Sequence, residues 1–139
     1  MKKLLFILLF LPLLFSCGGE KDNLDRRITW DDIDNEYTGK GTKIMDTKNV
    51  YNSYIGEWKD GEHHGYGTYF WHTKTTGSGK YEGEWKEGMF HGHGVWEKRG
   101  VGKYEGEWKD GLKNGQGTFT YPDGRIKKGL WENSNFLGE

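Results

Sequence analysis

The residues best suited to chemistry recur at fixed spacing. His63, His64, His91 and His93 stand in pairs at matching places along the chain, and imidazoles at short spacing are what a metal centre uses. Asn114 occupies the next corresponding place, however, and asparagine is a poor metal ligand. Histidine and asparagine share a tolerance for positive backbone dihedrals, so a turn role explains all the copies together, and neither a metal nor a cofactor is expected. Glu57, Glu84 and Glu107 recur as faithfully. Glycoside hydrolysis needs two carboxylates in unlike environments, whereas equivalent places in a repeat supply like ones. The expected role is a cross-strand pair with lysines of a neighbouring strand. Gly77-Ser78-Gly79-Lys80-Tyr81 lacks the upstream glycine and the following hydroxyl of a phosphate cradle. No serine or cysteine nucleophile stands in a motif with a base and an orienting acid. The expectation is a non-enzymatic protein.

What positions these residues is a repeat. Tyr54-Ile55-Gly56-Glu57-Trp58-Lys59-Asp60-Gly61 returns as Tyr81-Glu82-Gly83-Glu84-Trp85-Lys86-Glu87-Gly88 and as Tyr104-Glu105-Gly106-Glu107-Trp108-Lys109-Asp110-Gly111. Each copy is followed by a second signature, carrying Gly65 and Gly67, Gly92 and Gly94, or Gly115 and Gly117. Periodicity of this length dictates a solenoid of stacked supersecondary units. Tyr, Gly and Trp alternate with polar residues, the period of two expected of a strand. An acid before glycine then gives hairpin-turn chemistry at Gly61, Gly88 and Gly111. Glycine weakens a strand unless a ring lies over it, so rings of one repeat are expected to cover glycines of its neighbours. The tyrosine spacing of the first two copies exceeds that of the last two, which places an enlarged inter-repeat loop at 73–79. Partial units flank the complete ones as caps: Tyr37 with Gly39-Lys40-Gly41-Thr42 on one side, Gly129-Leu130-Trp131 on the other.

The ends divide the chain differently. Lys2-Lys3, an apolar run over 4–15 and then Ser16-Cys17 have the layout of a secretory signal, too short to cross a bilayer. Residues 18–36 hold seven acids against three bases, an acidic tether. Within it, Thr29-Trp30-Asp31-Asp32 has the spacing of a helix-capping box. The chain holds 20 basic and 21 acidic residues and one cysteine, so neither strong nucleic-acid binding nor an internal disulfide is expected. The expected organisation is a cleaved signal at 1–16, a tether at 17–36 and a repeat domain at 37–139.

Leu14-Phe15-Ser16-Cys17 resembles the lipobox of bacterial lipoproteins, which implies that Cys17 becomes the first mature residue and carries lipid, palmitate included. Tyr-x-Gly-Glu-Trp-x-x-Gly followed by His/Asn-Gly-x-Gly resembles the MORN (membrane occupation and recognition nexus) repeat. That resemblance spans roughly 37–137 and implies an all-β fold, an elongated single-layer antiparallel sheet of successive hairpins. It further implies use as a scaffold or membrane-junction module, with phospholipid binding often attributed to the family.

The expected function is therefore a lipid-anchored protein of the bacterial envelope, in the outer membrane, whose sheet binds another envelope protein or acts as a scaffold. The alternative is direct binding of phospholipid head groups or envelope glycan by the sheet. Edge-to-edge homodimers are open to it through unpaired terminal strands. Contact residues should lie where the copies disagree: Trp71, Trp96, Tyr66, His63 and His93, together with Ile55 and the 73–79 segment. The expected assembly residues are Tyr54, Gly56, Trp58, Tyr81, Gly83, Trp85, Tyr104, Gly106 and Trp108, with the glycines of the turns and second signatures.

Overall fold

The computed structural model describes residues 26–47, 50–75 and 77–139. The signal segment and Cys17 lie outside the described residues. A short helix, α1 (Trp30–Asp34), precedes the strands β1 (Gly39–Thr47), β2 (Val50–Lys59), β3 (Glu62–Thr73), β4 (Gly77–Lys86), β5 (Met89–Lys98), β6 (Gly102–Lys109), β7 (Leu112–Thr120), β8 (Ile126–Glu132) and β9 (Asn135–Gly138). All nine form one antiparallel sheet whose spatial order is the chain order. Successive hairpins thus build an open single-layer sheet, as the repeat requires.

Each repeat folds around a two-residue turn. Asp60 and Gly61, at φ 51° and 77°, both occupy the left-handed region, as do Glu87 with Gly88 and Asp110 with Gly111. Two consecutive positive φ values match the twist of the flanking strands. The second signature makes a bulge: Gly56 pairs with Gly67 but Glu57 pairs with His64, leaving Gly65 and Tyr66 out of the β2–β3 ladder while they pair with β4. Gly65 and Gly92 take the positive φ there, 55° and 52°. The preceding His64, His91 and Asn114 do not, which corrects the turn role expected of them. Of the three recurring carboxylates, Glu57 stands in register with Lys40 of the neighbouring strand, as expected, and the other two act otherwise. Glu84 accepts from the His93 backbone N–H and Glu107 from that of Gln116, each at 2.9 Å. They satisfy amides that the bulge removes from the ladder instead of pairing with lysines.

Alternation sends Tyr54, Gly56 and Trp58 to one face, and the same holds in β4 and β6. Tyr54, Tyr81 and Tyr104 are fully buried. The Tyr54 ring lies over both Gly56 and Gly67, where an added Cβ would collide with it. Its hydroxyl donates between the carbonyls of Glu57, at 2.8 Å, and His64, at 3.2 Å. Each tyrosine therefore covers the glycines of its own copy, not of its neighbours. Tryptophan makes the link between copies. Trp58 Nε1 donates to Gly41 O at 3.3 Å, and Trp85, Trp108 and Trp131 donate to the carbonyls of Gly67, Gly94 and Gly117 at 3.1 Å. Each of these four indoles thus reaches the second-signature glycine of the preceding unit. A second link runs in step: Gly61, Gly88, Gly111 and Ser134 donate backbone N–H to the carbonyls of Tyr37, His63, Phe90 and Lys113. Trp108→Phe keeps a ring in place but deletes one such bond, and should lower unfolding free energy by about 1 kcal/mol in urea titrations; an unchanged midpoint would show the bond to be incidental.

The 73–79 segment is not an enlarged loop. Thr73 pairs with Gly77, so the linker shrinks to 74–76 and the extra residues lengthen both strands. The linker in the next repeat, 99–101, is of the same length, with Lys98 paired to Gly102. The folded body also begins earlier than residue 37. Thr29 and Asp32 form the capping box of α1. Ile28 is buried against Gly41, and Arg27 bridges Thr42 along the outer edge of β1. Burying Ile28 and pairing the exposed backbone of β1 both favour this docking, so 26–36 caps the sheet and does not serve as tether.

Candidate functional site

The two faces of the sheet differ in chemistry. On the aromatic face, Tyr54, Trp58, Tyr81, Trp85, Tyr104, Trp108 and Trp131 form one buried cluster. Tyrosine and tryptophan meet edge to face within a copy, at 5.1 Å for Tyr54 and Trp58, and between copies, at 5.2 Å for Tyr54 and Trp85. Such pairs add about 0.5–1.5 kcal/mol each beyond area burial. Burial and the adjacent carboxylate of Glu107 push the Tyr104 phenol up to about 12, and burial raises Tyr54 and Tyr81 further. These phenols stay protonated and act as donors.

The contact residues expected from the sequence separate into three groups. Trp71 and Trp96 come together on the aromatic face, ring centroids 6.2 Å apart, with Trp71 lying over Gly79. Tyr69 continues the shelf at 6.1 Å from Trp71. Strand alternation puts Tyr66 and His93 on the opposite face, both exposed. His63 is packed into the aromatic face, stacked on Tyr54 at 3.8 Å and edge-on to Trp58 and Trp85, and burial holds its imidazole down at about 4. Its neighbours are structural, so it serves assembly instead of contact.

The place nine residues after each tyrosine explains His63. Phe90 stacks on Tyr81 at 3.8 Å as His63 does on Tyr54, and Lys113 holds its ammonium 5.0 Å from the Tyr104 ring centre. Aligning the copies through Glu62, Met89 and Leu112 would have revealed this variable position; the signal was present but weaker than the glycines.

The opposite face carries an apolar patch on β1–β3 and ion pairs on β4 and β6. Ile44, Tyr51, Ile55 and Phe70, between 36% and 46% exposed, surround Ser53, to which Ile44 and Phe70 are paired across the sheet. From β4 onward that face carries Lys80 with Glu82 at 3.3 Å and Lys103 with Glu105 at 2.9 Å, and Glu97 pairs in register with both lysines' positions. Among the described residues no His, Cys, Asp or Glu cluster could hold a metal ion.

This geometry is that of a hairpin array with a tyrosine cover and a tryptophan bridge in each unit, and a family profile described as the MORN repeat matches residues 54–76, 81–99 and 104–124. The chain carries three MORN repeats. The matches start at the tyrosines, Tyr54, Tyr81 and Tyr104, that cap each glycine pair. No curated protein matches the chain. The MORN repeat is in general a non-catalytic module. Its fold supplies extended faces, and clefts among the described residues, such as those beside Tyr121 and beside Trp58, are open and of about 260 Å³.

Proposed function

We propose that this protein is a non-enzymatic lipoprotein of a bacterial envelope, anchored in the outer membrane through Cys17, whose MORN-repeat sheet binds a partner protein or holds it as a scaffold. The carrying observation is the patch of Ile44, Tyr51, Ile55 and Phe70 on the face that the aromatic cluster does not use. A contiguous exposed apolar patch marks a protein-binding surface. It lies on β1–β3, the strands that follow the N-terminal segment most directly. Anchoring would add to affinity by confining the sheet near other membrane-bound proteins, which raises effective concentration without a new contact.

The experiment joins both parts. In cells, Cys17→Ala should move the protein from the membrane to the soluble fraction. Crosslinking followed by purification of the anchored protein should recover a defined envelope partner, and Phe70→Glu should abolish that recovery while the circular dichroism spectrum stays unchanged. Membrane retention of Cys17→Ala would sink the anchor; undiminished recovery with Phe70→Glu would sink the patch.

A further inference from the structure

The aromatic face changes character at its C-terminal end. In the first two copies each tyrosine is stacked by a ring, His63 or Phe90. In the third, Lys113 takes the ring's place, and in the terminal partial unit Lys127 takes the tyrosine's. Lys127 pairs with Phe119 across the sheet. Lys113 Nζ lies 4.4 Å from the Phe119 ring centre and 5.1 Å from that of Trp131. Lys127 Nζ lies 5.6 Å from Phe136 and 5.9 Å from Tyr121. The two lysines and these rings line one open cleft of about 240 Å³.

Neither lysine has a carboxylate within 4.0 Å among the described residues. Cation–π contact offsets part of the cost of holding them against rings. Lys113 shows what remains: it is half-buried, and burial lowers its proton affinity below that of an ordinary lysine. Two cations without counter-charge on a partly desolvated surface attract an anion. The rings ask for something else as well, a ligand with a flat apolar face. Inorganic phosphate meets only the first requirement and a neutral sugar only the second. The volume falls short of the roughly 300–1,000 Å³ of pockets that take drug-sized ligands, so one ring-sized unit is the appropriate guest.

We propose that this cleft binds one residue of an anionic saccharide, a uronic acid or a phosphorylated sugar, with its carboxylate or phosphate between Lys113 and Lys127 and its ring against Tyr121, Trp131 and Phe136. The site lies on the opposite face from the Phe70 patch and stands or falls separately from the partner-binding role.

The test uses the intact purified chain, read by tryptophan fluorescence and calorimetry. Tri-galacturonic acid is the probe; galactotriose, inorganic phosphate and phosphatidylglycerol vesicles are the comparisons. Tri-galacturonic acid should bind with a dissociation constant near or below about 1 mM and weaken as salt is added. Galactotriose and phosphate should each bind at least about tenfold more weakly. The double variant Lys113→Phe/Lys127→Tyr restores the side chains of the second copy, Phe90 and Tyr81, and so keeps the fold while losing the saccharide. Undiminished binding by that variant, no binding by the wild type, or equal binding of phosphate or of the vesicles would each overturn the assignment.

Discussion

A Gly83→Val variant should unfold, or lose about 3 kcal/mol or more, when its urea transition is compared with that of the wild type. Gly83 faces Gly94 across β4 and β5, and a Cβ at residue 83 would stand 2.5 Å from Gly94 Cα, 2.6 Å from His93 O and 2.9 Å from the Tyr81 hydroxyl. Two of those neighbours are backbone of the next strand, which no rotamer change can move. The third is the tip of a fully buried ring held by the Glu84 carbonyl at 2.9 Å. Relief would require opening the β4–β5 pairing or expelling Tyr81. Either event uncouples the central repeat, and a solenoid depends on contacts between neighbours. Gly88→Ala offers the contrast. Gly88 sits at φ 74° with nothing within 4 Å of an added Cβ, so only backbone strain opposes the change, about 1–2 kcal/mol. Equal effects of the two substitutions would refute the packing account of Gly83.

The sequence made the hairpin array legible because period-two alternation and turn glycines are local signals. Tyr54, Gly56 and Trp58 fall on one face by chain geometry alone. What each ring touches was not legible. Trp85 reaches Gly67 only because the β3–β4 register sets Gly65 opposite Trp85, and nothing within a single copy encodes that pairing. The bulge after His64 was hidden for a related reason: a ladder that skips residues has the same spacing as a turn. Tyrosine spacing likewise cannot tell a longer loop from longer strands, and at 73–79 the strands absorbed the difference. The acidic composition of 18–36 concealed Ile28, whose single buried side chain docks the segment onto β1. Trp71 and Trp96 stood out because they break the repeat, and the structure brings their rings to 6.2 Å, while Lys113 was passed over because lysine on a strand usually faces solvent.

His63 should make this fold acid-sensitive in a way one substitution removes. Its imidazole is held at about 4 against an ordinary 6.5, and the cause is burial between Tyr54, Trp58 and Trp85. The folded state therefore binds the proton less readily than the unfolded chain. No penalty exists above pH 6.5; it grows as pH falls from 6.5 to about 4 and then stops growing, because below that both states are protonated. At about 1.4 kcal/mol per pH unit the full window corresponds to roughly 3 kcal/mol. The same rings that exclude water also attract a cation, as the position of Lys113 over Tyr104 demonstrates in the third copy. That attraction returns about 1 kcal/mol or more, which leaves an expected loss of about 1–2 kcal/mol between pH 7 and pH 4. Carboxylates elsewhere titrate over part of the same range, so the informative quantity is the difference between the wild type and His63→Phe. Phenylalanine is the residue that stacks on Tyr81 at the equivalent place, at 3.8 Å, so the variant fits without rearrangement. Urea midpoints for His63→Phe should fall less between pH 7 and pH 4 than those of the wild type. Parallel losses in the two proteins would mean that the ring cluster accepts the imidazolium as readily as water does.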